Sequence, residues 1–288
     1  MGAEARHAVI FGATSMIGRH LLRRLSERGG EGQCLSRRAS PAPQETPQGF
    51  SWRALPAKGA LSAPADADLL SLAPIAALPP LLARTTGGRR LVALSTTGVT
   101  YKAHSSDPVE RAEAEAVRRA EEETGRLCQE RGIAWTILRP TLIYDPGLDL
   151  NVSAIADAAR RFGFVPVAWP ATGRRQPIHA DDVAHAMVAA LDAPGAVGRI
   201  LDIPGGETLT YRDMVRRIFR ALGRRPVLLY LPLGPARLAF RAWLTLTGAD
   251  YSTASLERMN MDLTFDSAPA HDILGIAARP FRPEFSAD

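Results

Sequence analysis

Residues 8–18 of this chain read Ala-Val-Ile-Phe-Gly-Ala-Thr-Ser-Met-Ile-Gly. A short apolar run leads into a corner that contains glycine, and the corner opens the amphipathic segment 19–25, Arg-His-Leu-Leu-Arg-Arg-Leu. This order is typical of a first β-strand, a tight turn and a first helix whose N-terminus binds the pyrophosphate of a dinucleotide. The alternative is an ordinary strand–turn–helix unit without a ligand.

The corner keeps two of the three positions that glycine usually holds in such loops. Gly12 and Gly18 fit the turn and the close packing of helix on strand, while Ser15 occupies the middle position. Because the motif lies between a predicted strand and a predicted helix, we expect it to bind the cofactor. The predicted loop contacts are Gly12, Thr14, Ser15, Met16, Ile17 and Gly18.

The end of the second predicted strand, residues 33–36, bears on the choice of cofactor. Arg37 and Arg38 follow this strand directly. An acidic residue at this place binds the ribose 2′-hydroxyl of NAD, whereas arginine accommodates the 2′-phosphate of NADP. The sequence therefore favours NADP (NADPH) over NAD, the alternative being a solvated basic turn.

Composition limits the classes of protein that the chain can be. Its 288 residues can bury a substantial core, and 46% hydrophobic with 23% charged residues is ordinary for a globular protein. The net charge of +5 suits anionic small molecules, but no basic stripe with interleaved aromatics indicates nucleic-acid binding. Cys34 and Cys128 offer no disulfide framework and no metal-ligand spacing, so we expect no metal and a cytoplasmic location.

Two apolar stretches bear on membrane contact. Prolines interrupt residues 69–83, and the N-terminus lacks the apolar core of a signal peptide, so a membrane span is not expected. Residues 231–247 read as an apolar helix that carries Arg237 and Arg241. This helix fits a core or dimer face and leaves peripheral membrane contact open. Both a monomer and a homodimer remain compatible with the sequence.

Strand and helix patterns alternate along the chain, which predicts an α/β fold with a doubly wound parallel sheet. Thr208 is the expected N-cap of the helix over 211–222. Further strands are predicted at 50–55, 68–74, 90–95, 134–140 and 199–203, further helices at 109–131, 149–162 and 183–191, and a loop or short strand at 163–173.

Several motifs in order resemble the extended or atypical short-chain dehydrogenase/reductase superfamily, the epimerase/dehydratase-like group. Beyond the glycine corner these are Leu-Ala-Pro at 72–74, Leu-Ser-Thr-Thr at 94–97, Leu-Arg-Pro-Thr-Leu-Ile-Tyr at 138–144 and Ile-His-Ala-Asp-Asp-Val at 178–183. The resemblance implies a Rossmann-type domain over 1–147 and 176–204, and a small C-terminal substrate domain over 148–175 and 205–288. The active site is expected in the crevice between them.

The resemblance also assigns roles to individual residues. It implies that Thr97, or Thr96, contacts the substrate and that Pro140 lies beside the nicotinamide. Further contacts expected with the cofactor come from Ala73, Pro74 and Ser95 at strand ends. Asn151, Arg174 and Arg175 match positions that contact nucleotide phosphates in nucleotide-sugar enzymes, and His179 is a further candidate for substrate binding. A polar loop, and a structural hydrogen bond of His179 at a helix start, are the alternatives.

The chain departs from the family at its catalytic pair, Tyr-x-x-x-Lys, because residues 103–142 contain no tyrosine. Alignment places Ala114 at the tyrosine and Arg118, a candidate for ribose binding, at the lysine. Tyr101 or a water molecule is then the expected proton donor, and the alternative for Tyr101 is a packing role. Two hypotheses follow. The first is an NADP-dependent oxidoreductase or epimerase acting on a carbonyl or carbinol of a small molecule such as a nucleotide sugar, and the second is a non-catalytic NAD(P)H-binding protein.

Overall fold

The fold is described from a computed structural model and covers residues 6–37, 46–232, 234–235, 238 and 254–285. Arg38 and most of the predicted apolar helix at 231–247 lie outside these residues. The strands are β1 (His7–Phe11), β2 (Glu31–Ser36), β3 (Phe50–Ala54), β4 (Leu61–Ser62), β5 (Asp68–Ser71), β6 (Thr85–Thr86), β7 (Arg90–Leu94), β8 (Ala134–Pro140), β9 (Ile143–Tyr144), β10 (Val165–Ala168), β11 (Arg174–Arg175), β12 (Ile178–His179), β13 (Arg199–Ile203), β14 (Leu209–Thr210) and β15 (Leu228–Leu231). The helices are α1 (Met16–Glu27), α2 (Leu78–Ala83), α3 (Gly98–Lys102), α4 (Pro108–Glu130), α5 (Val152–Phe162), α6 (Ala180–Asp192), α7 (Tyr211–Ala221), α8 (Ala254–Arg258) and α9 (Ala268–Leu274).

Seven strands form one central sheet in the order β13-β8-β7-β5-β1-β2-β3. Every pairing in this sheet is parallel, so all its strands end at the same edge. The direction of winding reverses beside β1, which pairs with β2 on one side and β5 on the other. The predicted doubly wound parallel sheet is confirmed, and ligands of such sheets bind outside the strand ends at this reversal.

Helices cover both faces of the sheet. On one face α1 and α6 pack together through buried side chains such as Leu21 and Met187. On the other face α2 and α4 bury Leu78 and Cys128. Both faces of the central strands β1, β5 and β7 are thus shielded from water, in agreement with the burial of nearly all their residues.

A smaller unit packs beside the sheet. Its core lies among α5, α7, β10 and α8 and includes the fully buried Phe219. The segment 276–285 joins this unit to the sheet: Phe281 is fully buried against Tyr144, and the amide of Arg279 donates to Asp182. The domain boundaries expected from the sequence stay a prediction.

Several predicted boundaries are wrong by a few residues. Thr210, not Thr208, caps α7, with its hydroxyl accepting from the amide of Asp213. The helix predicted from residue 183 begins at Ala180, and the one predicted from 149 begins at Val152. The strand predicted to reach residue 74 ends at Ser71. Within the described residues, no helix combines the length and apolarity needed to cross a membrane.

We predict that Gly18→Ala destabilises the fold by well over ~1 kcal/mol, because a Cβ there would lie 1.9 Å from the carbonyl oxygen of Ala13. Urea unfolding of the purified variant measures the loss. Gly195→Ala is the matched control, since its Cβ would meet its nearest neighbour at 3.7 Å. Equal unfolding free energies for the two variants would contradict the packing argument.

Candidate functional site

The glycine corner is built for close backbone approach. Gly12 has a φ of +76°, and a Cβ on it would lie 2.9 Å from the backbone nitrogen of Ala73. Gly18 lets the first turn of α1 contact the carbonyl of Ala13. The corner therefore holds α1 directly over the end of β1, with the residues after β5, Ala73 and Pro74, beside it.

Ser15 shows why the middle glycine is dispensable here. Its backbone is extended, with φ −71° and ψ 162°, and any residue adopts that conformation. As N-cap of α1 its hydroxyl accepts from the amide of Gly18 at 3.2 Å. The amides of Met16 and Ile17 are left without partners inside the helix, and the first turn contains no acidic residue. These groups fit the pyrophosphate of a dinucleotide.

The adenosine side of the corner contains small polar groups. The hydroxyls of Thr14 and Ser36 are 3.5 Å apart, at the ends of the corner and of β2. Ser71, which ends β5, has a buried hydroxyl without a hydrogen-bond partner among the described residues. Arg37 follows β2 and is exposed. In a doubly wound sheet the adenosine half of a dinucleotide lies across the ends of the strands beside β1, so its ribose and 2′-phosphate would contact these groups.

The ends of β7 and β8 are tied together on the other side of β1. The amide of Ser95 donates to the carbonyl of Leu138 at 2.8 Å. The carbonyl of Pro140 accepts from both the amide and the hydroxyl of Thr97, each at 3.1 Å. The Thr97 hydroxyl thus already donates to a backbone carbonyl, and the residue is only 3% exposed, so its position gives no support to the expected contact with substrate. Ser95 keeps a buried hydroxyl without a partner among the described residues.

Thr96 and Tyr101 instead meet over Gly98. A Cβ on Gly98 would lie 3.0 Å from the hydroxyl oxygen of Thr96 and 3.6 Å from that of Tyr101. The two hydroxyls therefore lie near the same side of Gly98, whose amide donates to the Thr96 oxygen at 2.9 Å, and Thr96 is exposed. A carbonyl oxygen needs two such groups, one to polarise it and one to supply a proton.

Two residues that the sequence analysis missed surround Tyr101. The guanidinium carbon of Arg258 lies 5.8 Å from the centre of the Tyr101 ring, and Glu110 binds that guanidinium. Glu110 was recognisable only as an acidic residue in the first turn of a helix. Arg258 lies after residue 247, where the sequence contains no recognisable motif, so no sequence signal pointed to it.

The Arg118 side chain is half exposed and forms ion pairs with Glu115 and Glu122 of its own helix. These contacts give no support to the expected ribose contact, which stays a prediction. The neighbouring Ala114 is buried in the packing face of α4. On that face Glu121 binds Arg139 at 2.8 and 2.5 Å, so Arg139 fixes the helix to the sheet.

Two of the three expected phosphate contacts, Arg174 and Arg175, bind other groups of the protein. Arg175 is 5% exposed and donates to three backbone carbonyls, those of Arg174, Arg258 and Met261. Asn151 is exposed and makes no capping bond, since Asp149 binds the first amides of α5. Arg174 forms an ion pair with Asp262.

His179 has a structural role at the start of α6, and its expected contact with substrate stays a prediction. It is the N-cap of α6, and its Nδ1 accepts from the amide of Asp181 at 3.0 Å. Burial lowers the pKa of His179, which keeps the ring neutral and able to accept this bond. Tyr144 packs edge-on against it, with ring centres 5.1 Å apart.

Asp181, in the first turn of α6, forms ion pairs with the C-terminal half of α1. It accepts from Arg23 at 2.9 Å, from Arg24 at 2.8 Å and from Arg279 at 2.7 Å. Burial acts to raise the pKa of Asp181, but the hydrogen bonds from Arg24 and Arg279 outweigh it and hold the pKa below its usual value. This cluster fixes the helix whose N-terminus forms the glycine corner.

A cavity of about 470 Å³ lies along α7, away from the glycine corner. Its arginines are largely neutralised, since Arg216 pairs with Asp213 and Arg217 with Glu207. The cavity contains none of the residues that converge on Tyr101. Its lining is Arg174, Glu207, Thr208, Leu209, Thr210, Asp213, Arg216, Arg217 and Arg220.

Comparisons with known proteins agree with this geometry. The sequence model of a family described as NAD(P)H-binding matches residues 81–194. A (4-alkanoyl-5-oxo-2,5-dihydrofuran-3-yl)methyl phosphate reductase from Streptomyces griseus is 29% identical over 214 residues, 72% of this chain and 68% of the relative. A 2-alkyl-3-oxoalkanoate reductase from Stenotrophomonas maltophilia is 31% identical over 157 residues, 49% of this chain and 47% of the relative.

A solved structure shows the same fold. The epimerase Mth375 from Methanothermobacter thermautotrophicus superimposes with a TM-score of 0.69 at 13% identity, covering 96% of this chain and 88% of that one. The chain therefore shares the Rossmann-type fold of this epimerase, and its residues 81–194 match a family described as NAD(P)H-binding.

We predict an acid-sensitive contribution from Asp181. Its folded pKa lies below the unfolded value of about 3.9, so its stabilisation is complete above that pH and is lost as the pH falls below it. The difference in unfolding free energy between wild type and Asp181→Asn should stay constant from pH 7 to about 5 and shrink below about pH 4. Urea unfolding at each pH measures it.

Asp157→Asn serves as the control for this prediction, because that side chain is 74% exposed. The difference in unfolding free energy between wild type and Asp157→Asn should not shrink to a comparable extent below about pH 4. A constant difference for Asp181→Asn down to pH 3 would show that the arginine cluster does not stabilise the carboxylate.

Proposed function

We propose that this protein is an NADPH-dependent reductase of a small carbonyl compound. The observation that carries the proposal is the convergence of the Thr96 and Tyr101 hydroxyls over Gly98, at the sheet edge where the cofactor corner also lies. The reductase names of two relatives support the class of reaction. The exposed Arg37 after β2 supports the choice of NADPH.

In the proposed reaction, bound NADPH supplies a hydride to the carbonyl carbon. Thr96 donates a hydrogen bond to the carbonyl oxygen and so stabilises the negative charge that develops there. The Tyr101 phenol transfers its proton to that oxygen as the carbon–oxygen double bond becomes single. The product is an alcohol, and Tyr101 regains its proton from water.

For the substrate class we propose an alkyl-substituted oxo compound that carries an anionic group. Both relatives are named for oxo compounds with an alkyl or alkanoyl group and with a phosphate or a carboxylate. The net charge of +5 fits an anionic substrate. A nucleotide sugar is less favoured, because Arg175 is buried and donates to backbone carbonyls instead of facing a phosphate.

The second candidate is a non-catalytic NAD(P)H-binding protein. The absence of Tyr-x-x-x-Lys on α4, with Ala114 buried where the tyrosine is expected, favours it. Such a protein needs no turnover, since a ligand at 100 times its Kd stabilises the fold by about 2.7 kcal/mol. NADPH binding without oxidation by any 3-oxo acid, oxolactone or sugar nucleotide would establish this second function.

We predict that Tyr101→Phe lowers kcat for NADPH oxidation by roughly 10²-fold or more with 3-oxo acids, since it removes the proton donor. Thr96→Val should lower kcat by at least about tenfold, whereas Thr97→Val should mainly lower the melting temperature. Absorbance at the NADPH band measures turnover, and Tyr230→Phe is the tyrosine control. A larger kcat loss in Thr97→Val than in Thr96→Val would overturn these assignments.

We predict that Arg37→Ala weakens NADPH binding by about tenfold or more and leaves NADH binding nearly unchanged. The reason is that arginine donates charge-assisted hydrogen bonds to a 2′-phosphate, which NADH lacks. Calorimetric titration with both cofactors measures the two dissociation constants. Arg53→Ala, an exposed arginine on β3, is the control. Parallel losses for NADPH and NADH would remove the 2′-phosphate assignment.

A further inference from the structure

We propose that Arg258 is a positioning residue that fixes the Tyr101 ring for proton transfer, an inference that rests on the proposed function. Arg258 ends α8 in the smaller unit, and Tyr101 lies in α3 beside the sheet edge. The guanidinium carbon is 5.8 Å from the centre of the ring. A guanidinium at this distance from a tyrosine face is attracted by the ring and leaves the hydroxyl free.

The guanidinium is itself held in one orientation. Nη1 of Arg258 donates to both carboxylate oxygens of Glu110, at 2.8 and 2.7 Å, and Nη2 donates to the hydroxyl of Ser255 at 2.8 Å. The side chains of Arg258 and Glu110 are 17% and 6% exposed. Because three hydrogen bonds hold the Arg258 guanidinium in place, the Tyr101 ring adjusts its orientation to the guanidinium and not the reverse.

The carboxylate is equally well fixed. The Ser105 hydroxyl donates to Glu110 at 2.6 Å, in addition to Arg258. Burial acts to raise the pKa of Glu110, but the bonds from Arg258 and Ser105 outweigh it and hold the pKa below its usual value. Glu110 therefore stays charged and keeps the guanidinium in place.

The same arginine links the two units of the protein. Its backbone carbonyl accepts from Arg175, which anchors α8 to β11 and lies over the ring of Tyr211. Thr96 belongs to the sheet edge, whereas the group that orients Tyr101 comes from 148 residues beyond Glu110. The hydroxyl pair over Gly98 is therefore complete only when α8 packs against α3 and α4. An error of 1 Å in such a pair is enough to cost about 10² in rate.

The test combines kinetics with a spectroscopic readout that needs no activity. Protein is labelled with 3-fluorotyrosine, and the ¹⁹F resonance of Tyr101 is identified as the one missing from Tyr101→Phe. Spectra, NADPH Kd and turnover are then compared for Arg258→Met, Arg258→Lys and Glu110→Gln. Arg217→Met is the matched control, because Arg217 also binds a carboxylate with two bonds but lies on α7.

We expect Arg258→Met to shift the Tyr101 resonance alone and to lower kcat at least tenfold, with the Kd for NADPH within about twofold of wild type. Arg258→Lys should recover part of the rate, and Glu110→Gln should move the resonance in the same direction. In a Tyr101→Phe background, Arg258→Met should not lower kcat further, because Arg258 acts on the reaction through the orientation of Tyr101.

The proposal is overturned if the Tyr101 resonance does not shift in Arg258→Met. It is also overturned if the kcat of the Tyr101→Phe, Arg258→Met double variant falls by the product of the losses of the two single variants. Should Arg258→Met fail to fold, Glu110→Gln decides the question by the same two criteria. If the wild type reduces no carbonyl compound, the proposed function fails, while the ¹⁹F spectra still establish or refute the orientation of the ring by Arg258.

Discussion

The structure depends on one close contact, the approach of the first turn of α1 to the carbonyl of Ala13. A Cβ at Gly18 would clash with that carbonyl oxygen at 1.9 Å. The lack of a side chain at residue 18 therefore permits the angle at which α1 leaves the sheet. This angle turns the free amides of Met16 and Ile17 toward the edge where the strands end. The ion pairs around Asp181 then hold the other end of the helix against α6.

The remaining parts of the site are brought to the same edge by different means. Hydrogen bonds to the carbonyl of Pro140 fix the turn after β7, and this turn aims Thr96 outward and Thr97 inward. The ion pair of Glu110 with Arg258 adds a contribution from the smaller unit. In the proposed function, a backbone motif binds the cofactor, while side chains from distant segments carry out the chemistry.

Local signals made the fold predictable from the sequence. The glycine corner, the apolar strands and the proline that ends β8 each act within a few residues, and the sheet confirms the predicted strands. The site was only partly predictable because neighbouring residues of one turn point in opposite directions. Sequence alone could not tell that Thr97 is 3% exposed and Thr96 exposed, nor that the donors of Arg175 bind backbone carbonyls. The Arg258 contact spans 148 residues, beyond the reach of any local pattern.

The segment around Phe281 has a consequence for how the protein is made. Its ring lies fully buried against Tyr144, and its neighbours bind Asp182 and Glu207. Chains emerge from the ribosome N-terminus first, so the sheet can assemble while these residues are still inside the exit tunnel. The glycine corner is therefore synthesised long before the segment that joins the smaller unit to the sheet.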